Sequence, residues 1–250
     1  QMINLGRTLG YQFFASGDFK TALEYYLVAV HYAPNDQDLN LQIARSYLGL
    51  GESRLAATYL RQLEANSEAD YTRYKETATD QLAYGPEASD AYERGIALYY
   101  QGELSAAREL FAEAARLNPS FQKAFIWAGR VNLELAEPEK ALPYWQAAQA
   151  LAPNRPDVQY FLGLTQNQIR WGVAAYTSFE EGMTFYNEGN MSEARGRLEE
   201  AVAQNPKFSE AWAWLGRIAY EGADYETAYQ AFGKANQLAS NETYRYFREA

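Results

Sequence analysis

Three stretches of this 250-residue chain repeat one order of glycine, alanine, bulky apolar residue and proline, and that periodicity limits the possible folds more than any single motif. The first runs Gly10, Gly17, Ala22, Tyr26, Ala29, Pro34. The second runs Gly95, Gly102, Ala107, Phe111, Ala114, Pro119, and the third Gly182, Gly189, Ala194, Leu198, Ala201, Pro206. Their prolines stand 85 and 87 residues apart. Inside each stretch a shifted copy follows after 34 residues: Ala44, Gly51, Ala56, Leu60; then Gly129, Ala141, Trp145, Ala148, Pro153; then Trp212, Leu215, Gly216, Ala228, Phe232, Ala235.

The unit has a physical meaning of its own. Apolar residues recur at helical spacing over about 14 residues, a glycine or small polar pair interrupts them, and a second helical run follows. Each unit is therefore a helical hairpin. Gly17-Asp18, Gly51-Glu52, Gly102-Glu103 and Gly189-Asn190 supply the permissive turn, and Pro34, Pro119, Pro153 and Pro206 stop the second helix. Ala22, Ala107 and Ala194 let the two helices approach, while Tyr26, Phe111, Trp145 and Phe232 fill the space beside them. One hairpin cannot bury such a face alone, so the hairpins must stack.

The 34-residue spacing resembles the tetratricopeptide repeat, whose pattern is Trp-x2-Leu-Gly-x2-Tyr, then Ala-x3-Phe, then Pro. Trp212, Leu215, Gly216, Ala228 and Phe232 follow it, with Ala219 for the Tyr and Ser240 for the Pro. Leu9, Gly10, Phe13, Ala22, Tyr26 and Pro34 follow it too, with Gly6 at the Trp position. Six full units fall at about 3–36, 37–70, 88–121, 122–155, 175–208 and 209–242. Segments 71–85 and 156–172 each read as one extra first helix, and another starts over 243–250 with Tyr244, Tyr246 and Phe247. Three modules of two hairpins plus one helix follow, at 1–87, 88–174 and 175–250, with the stacking reset near 85 and near 172. At 172 the alternative is one continuous helix over 157–187, because no proline stands there. The resemblance implies an all-α fold, a right-handed α-α superhelix or solenoid of stacked hairpins without a central core.

Composition removes several chemistries. There is no cysteine and one histidine, which excludes thiolate nucleophiles, disulfides and Cys- or His-based metal centres. The net charge of −10 has the wrong sign for binding that rests on neutralising phosphates. No stretch approaches the roughly 18 to 20 apolar residues of a membrane span, and no signal segment opens the chain, so a soluble chain is expected. The lack of cysteine and the start at Gln1 rather than Met lean toward export, with cytoplasm the alternative.

No motif points to catalysis. Asp36, Asp38 and Asn40 alternate like calcium ligands, but Leu41 stands where the loop needs glycine and Tyr47 where it needs a bidentate glutamate, so helix capping is the reading. His31 lies late in a second helix, away from any nucleophile signature, as a surface residue. Glu180-Glu181 and Glu199-Glu200 read as solvated helix faces, and Asn190-Met191-Ser192 and Asn241-Glu242-Thr243 match only the short glycan acceptor pattern. No metal, cofactor or catalytic residue is assigned.

The remaining signal lies on the surface that the resemblance implies is concave, where places two, five, nine and twelve of each unit face a groove. Place nine of the second hairpin in each module is arginine: Arg45, Arg130 and Arg217. Place twelve of the first hairpin is aromatic, as Phe14, Tyr99 and Tyr186, and place five gives Arg7, Tyr92 and Phe179. Tyr11, Trp127, Tyr160, Trp214 and Tyr220 lie on or beside the same face, as do Phe161 and Tyr176. Aromatic rings with spaced guanidinium groups suit a peptide that offers apolar side chains and carboxylates. The competing readings are ion pairs with Glu93, Glu134, Glu180 or Glu221 for the arginines, and packing between first helices for the rings. The family's two-carboxylate clamp is not expected, since its places hold Arg7, Tyr11, Gln42, Ser89 and Glu93. The expected function is a non-enzymatic adaptor for a protein or peptide segment, acidic-hydrophobic in character. The alternatives are a self-assembling scaffold and a carbohydrate-binding solenoid of the cell envelope.

Overall fold

The computed structural model describes residues 1–63 and 68–239. The expected helix start over 243–250, with Tyr244, Tyr246 and Phe247, lies outside the described residues, as do Ser240 and the Asn241-Glu242-Thr243 pattern. The described residues form fourteen α-helices and no strand. None of these helices is long and apolar enough to cross a membrane.

The chain divides into two compact units, Gln1–Val131 and Asn132–Ala250. In the first, α1 (Met2–Ala15) packs on α2 (Phe19–Tyr32), α3 (Gln37–Gly49) on α4 (Ser53–Gln62), and α6 (Pro86–Tyr100) on α7 (Leu104–Leu117). The single helix α5 (Glu68–Tyr84) lies between the second and third of these hairpins, against α4 and α6. Helix α8 (Gln122–Glu134) carries the unit boundary. In the second unit α9 (Pro138–Leu151) packs on α10 (Pro156–Trp171), α11 (Val173–Asn187) on α12 (Met191–Gln204), and α13 (Ser209–Glu221) on α14 (Tyr225–Leu238).

Local chemistry sets the helix ends. Asp18, Asp36 and Asp224 cap α2, α3 and α14 by accepting from the backbone N–H of Thr21, Leu39 and Thr227 at 3.1, 3.1 and 3.2 Å. Pro86, Pro138 and Pro156 open α6, α9 and α10, where the missing N–H costs no helical bond. The hairpin turns place Gly17, Gly51, Gly102 and Gly189 at φ between 74 and 83°, the left-handed region that L side chains avoid. Two turns do without glycine: Ala136 and Ala223 take φ of 55 and 57°. Helices also meet through glycine, since a Cβ on Gly95 would sit 2.8 Å from the Phe111 ring and one on Gly182 2.9 Å from Leu198 Cγ.

Of the two readings open at 172, the structure has two helices and not the alternative of one continuous helix over 157–187. Gly172, at φ 88°, ends α10 and starts α11, a backbone state that interrupts the helical hydrogen-bond ladder without any proline. The break at Gly85, at φ 93°, is its counterpart 87 residues earlier. Both breaks are built alike. Asn118 donates to the Tyr84 carbonyl at 2.9 Å and Asn205 to the Trp171 carbonyl at 2.7 Å, while Tyr84 stacks on Phe121 and Trp171 on Phe208 at 4.2 and 4.6 Å.

Apolar burial is divided among several clusters. In the first unit Tyr26, Leu39 and Ile43 centre one, Ala44, Leu48 and Leu60 another, and Ala88, Ala114 and Phe121 a third. In the second unit Trp171, Leu198 and Phe208 belong to one cluster and Ala228 and Phe232 to another. Each hairpin is held by its neighbours, as the stacking reading requires.

Candidate functional site

The three arginines of common register share one local structure. Each guanidinium lies over two aromatic rings: Arg45 over Phe14 and Tyr74 at 4.7 and 5.1 Å, Arg130 over Tyr99 and Trp127 at 5.4 and 5.1 Å, Arg217 over Tyr186 and Trp214 at 5.4 and 4.9 Å. The helical repeat explains the pattern. Trp127 and Trp214 stand three residues before their arginines, one turn back on the same helix face, and the ring at the end of the preceding first helix closes the other side. Tyr99 meets Trp127 and Tyr186 meets Trp214 edge to face, at 4.9 and 5.0 Å. Helix α3 has Gln42 at the Trp127 place, and there Tyr74 of α5 supplies the second ring.

The electrostatics differ among the copies. Arg217 donates to Glu221 at 2.9 Å, and Glu221 also accepts from the Tyr186 hydroxyl at 2.9 Å. Burial pushes the Glu221 carboxyl up, but these two donors outweigh it and hold it below its ordinary value. The Tyr186 hydroxyl is raised, first by burial and then by Glu221. Arg45 instead donates to the Gln42 side-chain oxygen at 3.0 Å, and its buried Nε has no hydrogen-bond partner among the described residues.

The other expected residues spread over several settings. Arg7 is committed to Asp36, the cap of α3, with Asp38 at 3.9 Å. It lines a cavity of about 570 Å³ with Tyr11, Gln42 and Tyr26, whose buried hydroxyl has no partner among the described residues. Tyr92 packs between Phe111 and Phe121 at 5.9 and 5.1 Å, and Phe179 against Phe208 at 4.9 Å, so both belong to the packing between helices. Burial pushes the Tyr92 hydroxyl far up. Tyr11 and Tyr160 are 65% and 60% exposed, and exposed Tyr220 meets Tyr225 at 5.7 Å. Of the acids considered as arginine partners, Glu221 serves Arg217, while Glu93 meets Arg73 at 3.7 Å and Thr77 at 3.4 Å. Burial pushes the Glu93 carboxyl up against the pull of Arg73.

Tyr74 was not among the expected site residues. Its signal is the register: it holds in α5 the place that Phe161 holds in α10, 87 residues on.

A family model described as tetratricopeptide repeat matches residues 92–156 and 179–241, half of the chain. The chain is 23% identical over 248 residues to Protein O-mannosyl-transferase TMTC3 of Mus musculus, covering 88% of this chain and 26% of that protein. It is 23% identical over 199 residues to the DnaJ homolog subfamily C member 7 homolog of Schizosaccharomyces pombe, covering 80% and 40%. The chain thus spans well under half the length of either relative. Among solved structures, MamA RS-1 ArsTM double mutant aligns at a TM-score of 0.32 and 21% identity, covering 81% of this chain and 93% of that one. YrrB, described as a TPR protein with an unusual peptide-binding site, aligns at 0.30 and 18%, covering 90% and 97%.

Proposed function

Because the chain belongs to the tetratricopeptide repeat family, whose members generally mediate protein–protein interactions, we propose that it is a non-enzymatic scaffold that holds a protein or peptide segment against its arginine–aromatic clusters. The observation that carries this reading is the recurrence of one cluster at Arg45, Arg130 and Arg217. A guanidinium held between rings loses little side-chain freedom when a ligand arrives, and the rings beside it offer apolar contact. Arg45 is the foremost anion contact, since it donates to the neutral Gln42 amide and its buried Nε has no acceptor among the described residues. Arg217 would exchange Glu221 for a ligand carboxylate. The preferred segment carries carboxylates flanked by apolar side chains, and the three modules at 1–87, 88–174 and 175–250 would present one cluster each.

Affinity capture from the source cell's lysate tests this, with wild type beside an Arg45, Arg130, Arg217→Glu variant and mass spectrometry of the bound proteins. A partner retained by wild type and lost by the variant is the expected result. The same partners with both would refute the cluster assignment. Self-assembly is the second reading, favoured by Tyr225 and Tyr229, both largely exposed on one face of α14. A monomer mass at high micromolar concentration would remove it.

A further inference from the structure

The breaks at Gly85 and Gly172 are alike in backbone, in their asparagine clasp and in their stacked rings, yet they differ in one chemical respect. At the first, Arg73 of α5 reaches Glu93 of α6 at 3.7 Å, and the Thr77 hydroxyl lies 3.4 Å from the same carboxylate. The equivalents 87 residues on are Tyr160 for Arg73, Leu164 for Thr77 and Glu180 for Glu93. The acid is kept and its cation is gone. In its place α10 and α11 line an open cavity of about 490 Å³, which includes Tyr160, Leu164, Gln168, Tyr176 and Glu180.

A second difference points the same way. Gln81 at the first break is fully used: its side-chain oxygen accepts from Ser53 at 2.7 Å, and its nitrogen donates to the Leu48 carbonyl at 3.3 Å. Gln168, its equivalent, lines the cavity with a buried side-chain oxygen that has no donor among the described residues. The residue at the Ser53 place is Pro138, the first of α9 as Ser53 is the first of α4, and it has no hydroxyl to donate. Nearby charges do not fill the gap. Arg197 lines the cavity but is held by Glu181 at 3.2 Å and Glu200 at 2.9 Å, and no cation pairs with Glu180 among the described residues. Burial pushes the Tyr176 hydroxyl up to about 12, and the Glu180 carboxylate adds to the rise.

We propose that the cavity between α10 and α11 receives an arginine side chain from a basic segment of a partner protein, which takes the place that Arg73 fills from within the chain at the first break. Glu180 and the Gln168 oxygen accept its N–H groups, and the Tyr160 and Tyr176 rings offer it their faces. The site rests on the scaffold reading only in requiring a protein partner; it is separate from the three arginine clusters and selects the opposite charge.

The probe is the peptide acetyl-Gly-Ser-Arg-Ser-Gly-amide, titrated into the full isotope-labelled chain while the backbone amides of Gly172, Tyr176 and Glu180 are followed by NMR. Its citrulline analogue keeps the side-chain shape and loses the charge. Saturable shifts are expected with the arginine peptide, weaker by about ten-fold or more with citrulline and with Glu180→Gln, as the loss of a charge-assisted bond implies. Tyr160→Arg should abolish them, because the chain then fills the site itself. Tyr160 is 60% exposed, so this change removes no core contact, and Glu180→Gln gives an independent readout. Arg73→Tyr should create a matching response at Gly85, Ser89 and Glu93. Equal affinity for the citrulline peptide, shifts that survive Tyr160→Arg, or no shift in the wild type would each overturn the site. A lysate capture that finds partners while the peptide moves none of these amides sinks this site and leaves the scaffold standing; saturable peptide shifts beside a capture unchanged by the Arg45, Arg130, Arg217→Glu variant sink the cluster assignment and leave this site standing.

Discussion

Gly182 and Gly196 lie in the two helices of one hairpin, and the same substitution at each should move stability in opposite directions. Gly196 sits inside α12, exposed, and a Cβ there meets nothing within 4 Å. Alanine at that place gains helix propensity and loses nothing, for about 0.5–1 kcal/mol of added stability. Gly182 faces α12. Its Cβ would fall 2.9 Å from Leu198 Cγ and 3.3 Å from the Ala194 carbonyl oxygen, which is backbone and cannot turn aside. The propensity gain is the same, but Leu198 is fully buried, and overpacking at such a contact costs about 1–3 kcal/mol. The net is a loss of roughly 0–2 kcal/mol, so the two variants should differ by about 1–3 kcal/mol. Urea unfolding followed by helical circular dichroism measures both midpoints, with the slopes compared to check that cooperativity is unchanged. Gly95→Ala, aimed at the Phe111 ring from 2.8 Å, serves as the replicate in the other unit. If Gly182→Ala stabilises as much as Gly196→Ala, the close approach of α11 and α12 does not depend on glycine and the packing account is wrong.

Ala136→Gly and Ala223→Gly, which release alanines from the left-handed region, should each raise the thermal midpoint by the equivalent of up to about 1 kcal/mol; a lowered midpoint would show those turns to be unstrained. Asp36→Ala removes both the α3 cap and the partner of Arg7 and should cost about 1–2 kcal/mol by denaturant titration, whereas Asp38→Ala should cost well under half of that. The raised Glu93 carboxyl favours the protonated form in the fold. Its contribution is therefore fully present below the ordinary glutamate range and lost as pH rises through the higher folded value, so Glu93→Gln should flatten the stability profile above pH 4.5. A steeper decline in the variant would contradict that assignment.

The hairpins were legible because each rests on several residues of fixed spacing: the glycine of the turn, the small residue at the contact and the proline after the second helix. Pro34, Pro119, Pro153 and Pro206 indeed follow helix ends, two residues beyond Tyr32, Leu117, Leu151 and Gln204. The break at 172 was harder to read, because Gly172 acts through a backbone angle and glycine alone does not announce one. Ala136 and Ala223 escaped for the converse reason, since alanine there carries no turn signature. The register of Arg45, Arg130 and Arg217 was visible, but their rings were not all so. Tyr74 lies outside the full repeats and reaches Arg45 only through tertiary packing. Place five was a weaker guide: Tyr92 and Phe179 satisfy the spacing, and neighbouring phenylalanines decide that they pack between helices. The cavity at Gly172 was written in the pairs Arg73 and Tyr160, Ser53 and Pro138, yet only the geometry of the first break shows what the second lacks.

Dividing the apolar interior into separate clusters has a mechanical consequence. Drawn out from one end, either unit would surrender its helices a pair at a time, because the clusters around Tyr26 and around Phe121 need not rupture together. Such a chain stretches and recoils like a spring with several weak catches instead of one strong latch. Load could lengthen it in steps while the hairpins still stacked keep whatever they hold.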